Sequence, residues 1–334
     1  MQKTPNLGLV KPSQEDHYNI DEFNTNADRL DNVIQGRDNY IINGNFDIWQ
    51  RGWQQTTFAY GSDDRWINVG VPTPGATHSR QSFDVGQTEV PNNPRFFSRT
   101  TFTQVPANDF NRAKIQRIED VRTLAGEAAT LSFWAKADSN RAVEVMFTQG
   151  FGTGGSALVV FGNTLIYLTP NWQKFIVTID VPSIAGRTIG ANSYLSVNFA
   201  YSRPIAPQSG TFDIAQVKLE KGNIATPFVP NFPFVELMMC MRYYESASFS
   251  RSLANLLVGN TMRTVVDIPF FVQKRVNPSM TRIGNITNSL SGADMGAFTF
   301  GFADTRRIGR IDFTVTTPVN GMPVQFNWAA DAEL

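Results

Sequence analysis

The stretch Thr130-Leu131-Ser132-Phe133-Trp134-Ala135-Lys136 decides the fold. Its side chains alternate in character with a period of two, which sends successive residues to opposite faces and marks a half-buried β-strand. The same alternation runs through Ala142-Val143-Glu144-Val145-Met146-Phe147, Trp172 to Ile179, Tyr194 to Phe199 and Thr211 to Glu220. Turn-forming clusters separate these runs: Asp138-Ser139-Asn140, Pro170-Asn171, Pro182, and Pro204 to Gly210. No helical period falls between them. Consecutive strands without crossover helices predict an antiparallel sandwich or jelly roll rather than a parallel sheet.

Outward from this body, Pro227, Pro230 and Pro233 crowd one short segment and set a domain boundary near residue 230. A short helix from Val235 to about Tyr243 is expected next, with Leu237, Met238 and Met241 on its apolar face. Strand patterns resume at 264–268, 298–302, 310–316 and 324–328, so a smaller β domain is expected there. At the other end, residues 1–13 hold Pro5, Gly8 and Pro12 without periodicity and read as an extended arm. Ile20, Phe23, Ala27, Leu30 and Ile34 then alternate spacings of three and four, the narrow stripe of an amphipathic helix. Asn19 can cap its start with Glu22 three residues on, and Gly36 can end it. So short a helix does not hold alone in water. Its stripe must pack on symmetry mates, a docking partner or the adjacent domain. The expected organisation is arm and helix over 1–38, jelly roll over 39–230 and β domain over 231–334.

Composition narrows the function. Lys plus Arg and Asp plus Glu both number 29, and this balance argues against nucleic-acid binding, which needs a basic footprint. The single cysteine, Cys240, excludes an internal disulfide framework and reads as a buried small hydrophobe. Two histidines, His17 and His78, leave little room for zinc or triad chemistry and read as surface residues. No signal peptide and no apolar run long enough to span a bilayer is visible, so a soluble protein without membrane insertion is expected. Phe151-Gly152-Thr153-Gly154-Gly155-Ser156 lacks the helix and lysine of a phosphate loop and reads as a glycine-rich turn. Asp63 and Asp64 are adjacent, so their side chains diverge, with Asp64 expected to brace Arg65.

Flat aromatic faces stack on sugar rings while amides and carboxylates bond the hydroxyls. Trp49, Trp66, Trp134 and Trp172 sit inside strand patterns or motifs and read as core. Trp53 and Phe58, in a polar loop, and Tyr201 and Arg203, at a strand end, are the candidate glycan contacts.

Several landmarks in order resemble tail-fibre and receptor-binding proteins of tailed bacteriophages. Asn43 to Gly52 is similar to the opening strand of their carbohydrate-binding-module-like jelly roll, with Asp64-Arg65-Trp66 after it. Gln116-Arg117-Ile118-Glu119, the 131–136 strand and the 151–156 loop fit its middle, and residues 216–227 its closing strand and exit. Cys240 to Glu245 and Asp331 to Leu334 resemble the C-terminal domain, and Leu9-Val10-Lys11-Pro12 with Phe23 to Asn26 a virion-attachment segment.

The resemblance implies a non-enzymatic homotrimer in the virion tail, made in the bacterial host cytoplasm. It would be attached through residues 1–38 to tail or baseplate proteins and would bind a host-surface glycan. Modules of this kind often hold a structural calcium, for which Asn45, Asp47 and Asp213 offer hard oxygen ligands, although the same residues suit ordinary turns and edges. No other cofactor is implied. Two other readings stay open: a head fibre, collar or baseplate decoration that binds no receptor, and a polysaccharide-degrading enzyme.

Overall fold

The computed structural model describes the chain except for residues 1, 5–7, 14, 18, 36–38, 71–75, 106–111, 202–207, 253–256, 259–260, 289–304 and 316–322. Contacts divide the chain into two units, Met1–Pro230 with Leu334, and Asn231–Glu333.

The first unit begins with β1 (Gln2–Lys3), β2 (Val10–Lys11) and α1 (Ile20–Gln35). The helix starts where the sequence places it, with Asn19 Oδ1 accepting from the Asp21 N–H at 2.9 Å. The arm is not extended. β1 and β2 pair antiparallel, and the Asn26 side-chain amide bonds both backbone groups of Val10, at 2.8 and 3.0 Å. A helix side chain thus satisfies an otherwise open strand edge. Ile20, Phe23, Ala27 and Leu30 are exposed in the single chain, and the side chain of Ile34 lies outside the described residues.

The body follows: β3 (Gln54–Gln55), β4 (Ala59–Tyr60), β5 (Trp66–Gly70), β6 (Ala76–Ser82), β7 (Phe96–Val105) and β8 (Arg112–Glu119). After these come β9 (Ala128–Ala137), β10 (Arg141–Gly150), β11 (Val159–Leu168), β12 (Gln173–Asp180), β13 (Tyr194–Tyr201) and β14 (Gln208–Lys221). They form two six-stranded antiparallel sheets, β11-β10-β13-β8-β5-β4 and β12-β9-β14-β7-β6-β3, a jelly-roll sandwich. The alternating residues face inward as expected: Leu131 and Phe133 of β9, Val145 and Phe147 of β10, Val197 and Phe199 of β13, and Val217 and Leu219 of β14 share one core. Trp66 stacks on Phe46 with ring centroids 5.3 Å apart inside it. Trp49 packs against the same core, while Trp134 joins Trp172, Phe97 and Val90 in a second cluster, so the four tryptophans read as core do pack.

Residues 43–52 are not the opening strand that the resemblance implies. Asn43 and Phe46 both take positive φ, which breaks extended geometry, and the buried Asn43 amide ties this turn to Ile48 and Asp64. Asp63 and Asp64 do diverge, but Asp64 accepts from the Gln50 backbone at 3.0 Å and from its side-chain amide, a partner absent from the sequence-based expectation.

Polar residues also face inward. Lys114 of β8, fully buried, forms an ion pair with Asp63 and bonds Asn68 Oδ1 of β5. Asp63 also accepts from Asn68 at 2.7 Å, from Ser98 of β7 at 3.1 Å and from Ser62 at 3.2 Å. Burial alone would raise its carboxyl pKa, but the charge and hydrogen bond of Lys114 outweigh this and hold it below the usual carboxylate range. His78 is not a surface residue. It lies fully buried in β6, its Nδ1 3.0 Å from Thr100 Oγ1 and its Nε2 without a partner among the described residues. Burial, with Lys114 nearby, pushes its pKa down to about 3. His17 is exposed, as expected.

The second unit comprises α2 (Pro233–Met241), β15 (Tyr244–Ser252), β16 (Leu257–Val258), β17 (Thr261–Pro269), β18 (Ser279–Asn288), β19 (Ile308–Val315) and β20 (Pro323–Asp331). Its described strands form two three-stranded antiparallel sheets, β15-β20-β18 and β16-β17-β19. The expected strand at 298–302 lies outside the described residues. α2 turns Glu236 and Cys240 inward and leaves Met238 exposed, so Met238 does not share the buried face expected of it. The inward Glu236 is tolerated because Asn231 donates to it at 2.7 Å. This unit has its own buried ion pair, Lys274 with Glu245, with Lys274 also bonding the Met241 carbonyl.

Replacing Lys114 by Ala leaves Asp63 as a buried, uncompensated charge and is expected to cost about 3–5 kcal/mol in chemical denaturation. The double variant Asp63→Asn, Lys114→Met is expected to recover more than half of that loss; a smaller recovery would mean the pair itself is not the strut.

The unfolded chain takes up a proton on His78 near pH 6.5 that the folded chain refuses until about pH 3. Stability is therefore complete above pH 6.5 and falls as pH drops through that window, by about 2 kcal/mol at pH 5. Denaturation curves at pH 7.5 and 5 should show this drop in the parent and a shallower one in His78→Gln.

Candidate functional site

The outer face of the β11-β10-β13-β8-β5-β4 sheet is built by the residues that alternate with its core. Register places Thr148 of β10 beside Val160 of β11 and Ser196 of β13, and Ser196 beside Arg117 of β8. The next row runs Met146, Asn198, Ile115, Ile67 and Tyr60. Although they face away from the core, Ser196 and Asn198 are only 2% and 7% exposed and form a polar floor. Asn198 Nδ2 donates to the Met146 carbonyl at 3.1 Å and to Ser196 Oγ at 3.2 Å. Val160, Leu165 and Tyr167 stand exposed along the edge strand.

At one end of this face a cavity of about 500 Å³ opens, lined by Arg117, Phe151, Thr153, Asn192 and Tyr194 among others. The Arg117 guanidinium lies 4.4 Å from the Tyr194 ring centroid. Arg117 Nη1 donates to the Leu334 backbone oxygen at 2.8 Å, and the Tyr60 hydroxyl donates to the same oxygen at 3.0 Å. Gly150 is the cross-strand partner of Tyr194, and a Cβ there would lie 2.4 Å from its ring, so glycine lets the ring lie flat over β10.

The cavity wall is the 151–156 loop bound to residues 188–193. Thr153 N–H donates to Ala191 O at 2.8 Å, Gly190 N–H to Phe151 O at 2.7 Å, and Ser156 N–H to Thr188 O at 2.8 Å. Gly152, at φ +77°, approaches Ala191 so closely that a Cβ would lie 2.1 Å from its carbonyl oxygen. The glycine-rich stretch is a turn, as its sequence predicts, and it also makes one side of a binding-sized cavity.

The sequence-derived contacts are not gathered into one site. Trp53, just before β3, and Phe58, on the link between β3 and β4, are 61% and 42% exposed at the sandwich edge. Tyr201 ends β13, paired with Val143, three strands or about 14 Å from β4. Its side chain and all of Arg203 lie outside the described residues. The sequence assigns Arg117 to the 116–119 motif and Tyr194 to a strand and marks neither as a site, and Asn192 carries no signal of its own; the polar outer row Thr148, Ser196 and Asn198 is the one available pointer to this face.

The proposed calcium ligands each have protein partners. Asp213 receives a bidentate bond from Arg99, both contacts 2.7 Å, while Asn45 Nδ2 donates to Asp47 at 2.8 Å. A cation using Asp213 would have to displace that guanidinium, which already neutralises the carboxylate. The turn-and-edge reading therefore describes these residues better. Among the described residues no group of three or more His, Cys, Asp or Glu side chains is placed to hold a metal, and no helix is long and apolar enough to cross a membrane.

No protein-family model matches the chain, and no curated protein matches it. Several solved structures that it resembles are carbohydrate-binding modules. One, described as CBM4, is 17% identical with TM-score 0.34, over 54% of this chain and 98% of that one. A putative sugar binding protein from Bacteroides thetaiotaomicron is 14% identical with TM-score 0.39, over 55% of this chain and 100% of that one. The enzymatically active domain of bacteriophage CBA120 tailspike protein 4 is 16% identical with TM-score 0.33, over 55% of this chain and 21% of that one.

Gly152→Ala forces a side chain into both a left-handed backbone and the Ala191 carbonyl. It is expected to cost about 1–3 kcal/mol in thermal or chemical unfolding and to disorder the cavity wall, seen as faster amide exchange over residues 150–156 and 188–193.

Proposed function

We propose that the chain is a non-enzymatic glycan-recognition protein and that its first unit binds sugar on the outer face of the β11–β4 sheet. The observation that carries this is the cavity lined by Tyr194, Arg117, Asn192 and Thr153, with the buried polar residue Ser196 beside Arg117 on the same sheet face. The Tyr194 ring supplies aromatic contact area at its edge, while the guanidinium, amides and hydroxyls supply the directional bonds that sugar hydroxyls need. The volume falls in the range of roughly 300–1,000 Å³ typical of small-ligand sites. No carboxylate side chain lines the cavity, whereas glycoside hydrolysis ordinarily needs two across the scissile bond. This favours binding over cleavage.

The setting we propose is a bacteriophage tail fibre, with residues 1–38 attaching a homotrimer to the tail or baseplate. Support comes from the order of sequence motifs and from the exposed stripe Ile20, Phe23, Ala27 and Leu30, which a lone chain leaves facing water. Shallow single sites repeated in a trimer gain strength by avidity.

A glycan array probed with the full chain should give hits, and Tyr194→Ala should weaken them about tenfold, the size of a lost aromatic contact. Binding undiminished by that change would place the site elsewhere; absence of any hit would favour a purely structural decoration. Light scattering tests assembly: the parent should be trimeric and the Phe23→Asp, Leu30→Asp variant monomeric, with a monomeric parent counting against the attachment scheme.

A further inference from the structure

We infer that Lys114, Asn68 and Asp63 are a self-processing triad: the Lys114 amine joins the Asn68 side chain in an isopeptide bond between β8 and β5, and ammonia is released. The inference stands apart from the glycan reading and concerns how the sandwich is held.

The three side chains meet in the interior of the sandwich, each at most 1% exposed, and Lys114 and Asn68 are direct cross-strand partners. Lys114 Nζ lies 2.5 Å from Asn68 Oδ1 and forms its ion pair with Asp63 Oδ2. The other carboxylate oxygen, Asp63 Oδ1, accepts from Asn68 Nδ2 at 2.7 Å. One carboxylate therefore bridges the nitrogen that would attack and the nitrogen that would leave. Asn68 Cγ is one bond beyond Oδ1, which puts it about 3–3.5 Å from Nζ, the separation of a near-attack arrangement.

The surroundings favour the neutral amine, which is the nucleophile. The ring centroids of Phe46 and Trp66 each lie 6.0 Å from Nζ. Burial pushes the Lys114 pKa below the ordinary lysine value despite the opposing pull of Asp63. The other buried lysine–carboxylate pairs differ in their third described partner. At Lys274–Glu245 it is the Met241 backbone carbonyl, and at Lys218–Glu220 the Thr226 hydroxyl. Only at Lys114 do the described contacts put a side-chain amide against the amine.

The chemistry closes without a further reactant. One ammonium proton passes along the Nζ–Oδ2 contact, leaving a neutral amine and a neutral carboxylic acid. The amine lone pair forms the bond to Asn68 Cγ. Asp63 then gives its proton to Nδ2 and takes a second one from the attacking nitrogen. The Cγ–Nδ2 bond breaks, ammonia leaves, and Asp63 remains as an acid beside the new amide. The ion pair is the reactant state, and the stability changes expected above for its variants are those of the unligated chain. The sole cysteine, Cys240, lies in the other unit, so no disulfide can staple this sandwich, whereas an amide across β5 and β8 does.

The test is intact-mass measurement of the denatured full chain after incubation in the folded state. The expected result is a deficit of about 17 Da, one ammonia, against the sequence mass. Digestion should then yield a branched peptide joining β5 and β8 through Asn68 and Lys114. Lys114→Met and Asn68→Ala should each restore the full mass. Asp63→Asn keeps the shape but removes the proton carrier, and should stay unligated while circular dichroism shows it folded. If that variant does not fold, the branched peptide of the parent still decides the bond, and Asp63→Glu should ligate more slowly than the parent. A parent of full mass, or a deficit that maps to another residue such as Gln2, would overturn the inference. So would a deficit of about 18 Da, one water, with Lys114 joined to Asp63 instead.

Discussion

The Lys114–Asp63 pair is the constraint on which the sandwich depends. It sits between the sheets, with Lys114 and Asn68 on one and Ser98 on the other, all converging on a single carboxylate. Apolar cores tolerate sliding, since one methyl contact replaces another at small cost. A buried charge network does not, because a shift of one residue in register would leave charges unpaired in a low-dielectric interior. The pair therefore sets the register of β5, β7 and β8, and through them the position of Arg117, three residues beyond Lys114.

The same economy of space shapes the cavity. Tyr194 can lie over β10 because Gly150 has no side chain, and the 151–156 loop can close on residues 188–193 because Gly152 has none either. These absences bring an aromatic ring, a guanidinium and a carbonyl-rich loop wall together at the end of one sheet. Polar floor residues then take positions that face away from the core yet stay shielded from water, their amides and hydroxyls bonded to one another.

Part of the architecture was open to sequence reading, and the failures share a cause. β9, β10, β12, β13 and β14 alternate apolar and polar residues because their inner partners are all apolar. β6 and β7 lack a legible alternation because His78, Ser98 and Thr100 take inward positions beside Ala76 and Phe102 and so interrupt the expected pattern. Lys114 and Gln116 do the same in β8, fully buried polar residues within an otherwise strand-like run. The reading of His78 as a surface residue failed for the same reason: nothing in its flanking sequence announces Lys114, thirty-six residues away, or the sheet between them.

By itself the sequence determined the secondary structure wherever packing follows local period, the capped start of α1, and the packing of Trp49, Trp66, Trp134 and Trp172 against the core clusters. Tertiary structure alone decided that the arm folds back onto α1, that Asp213 belongs to Arg99, and that a glycine turn and the strand residues Arg117 and Tyr194 enclose one cavity. The division is physical. Periodicity reports which side of a strand is dry, a property of neighbours along the chain. A site is a meeting of side chains from separate strands, and their meeting is set by sheet order and register, which no single strand contains.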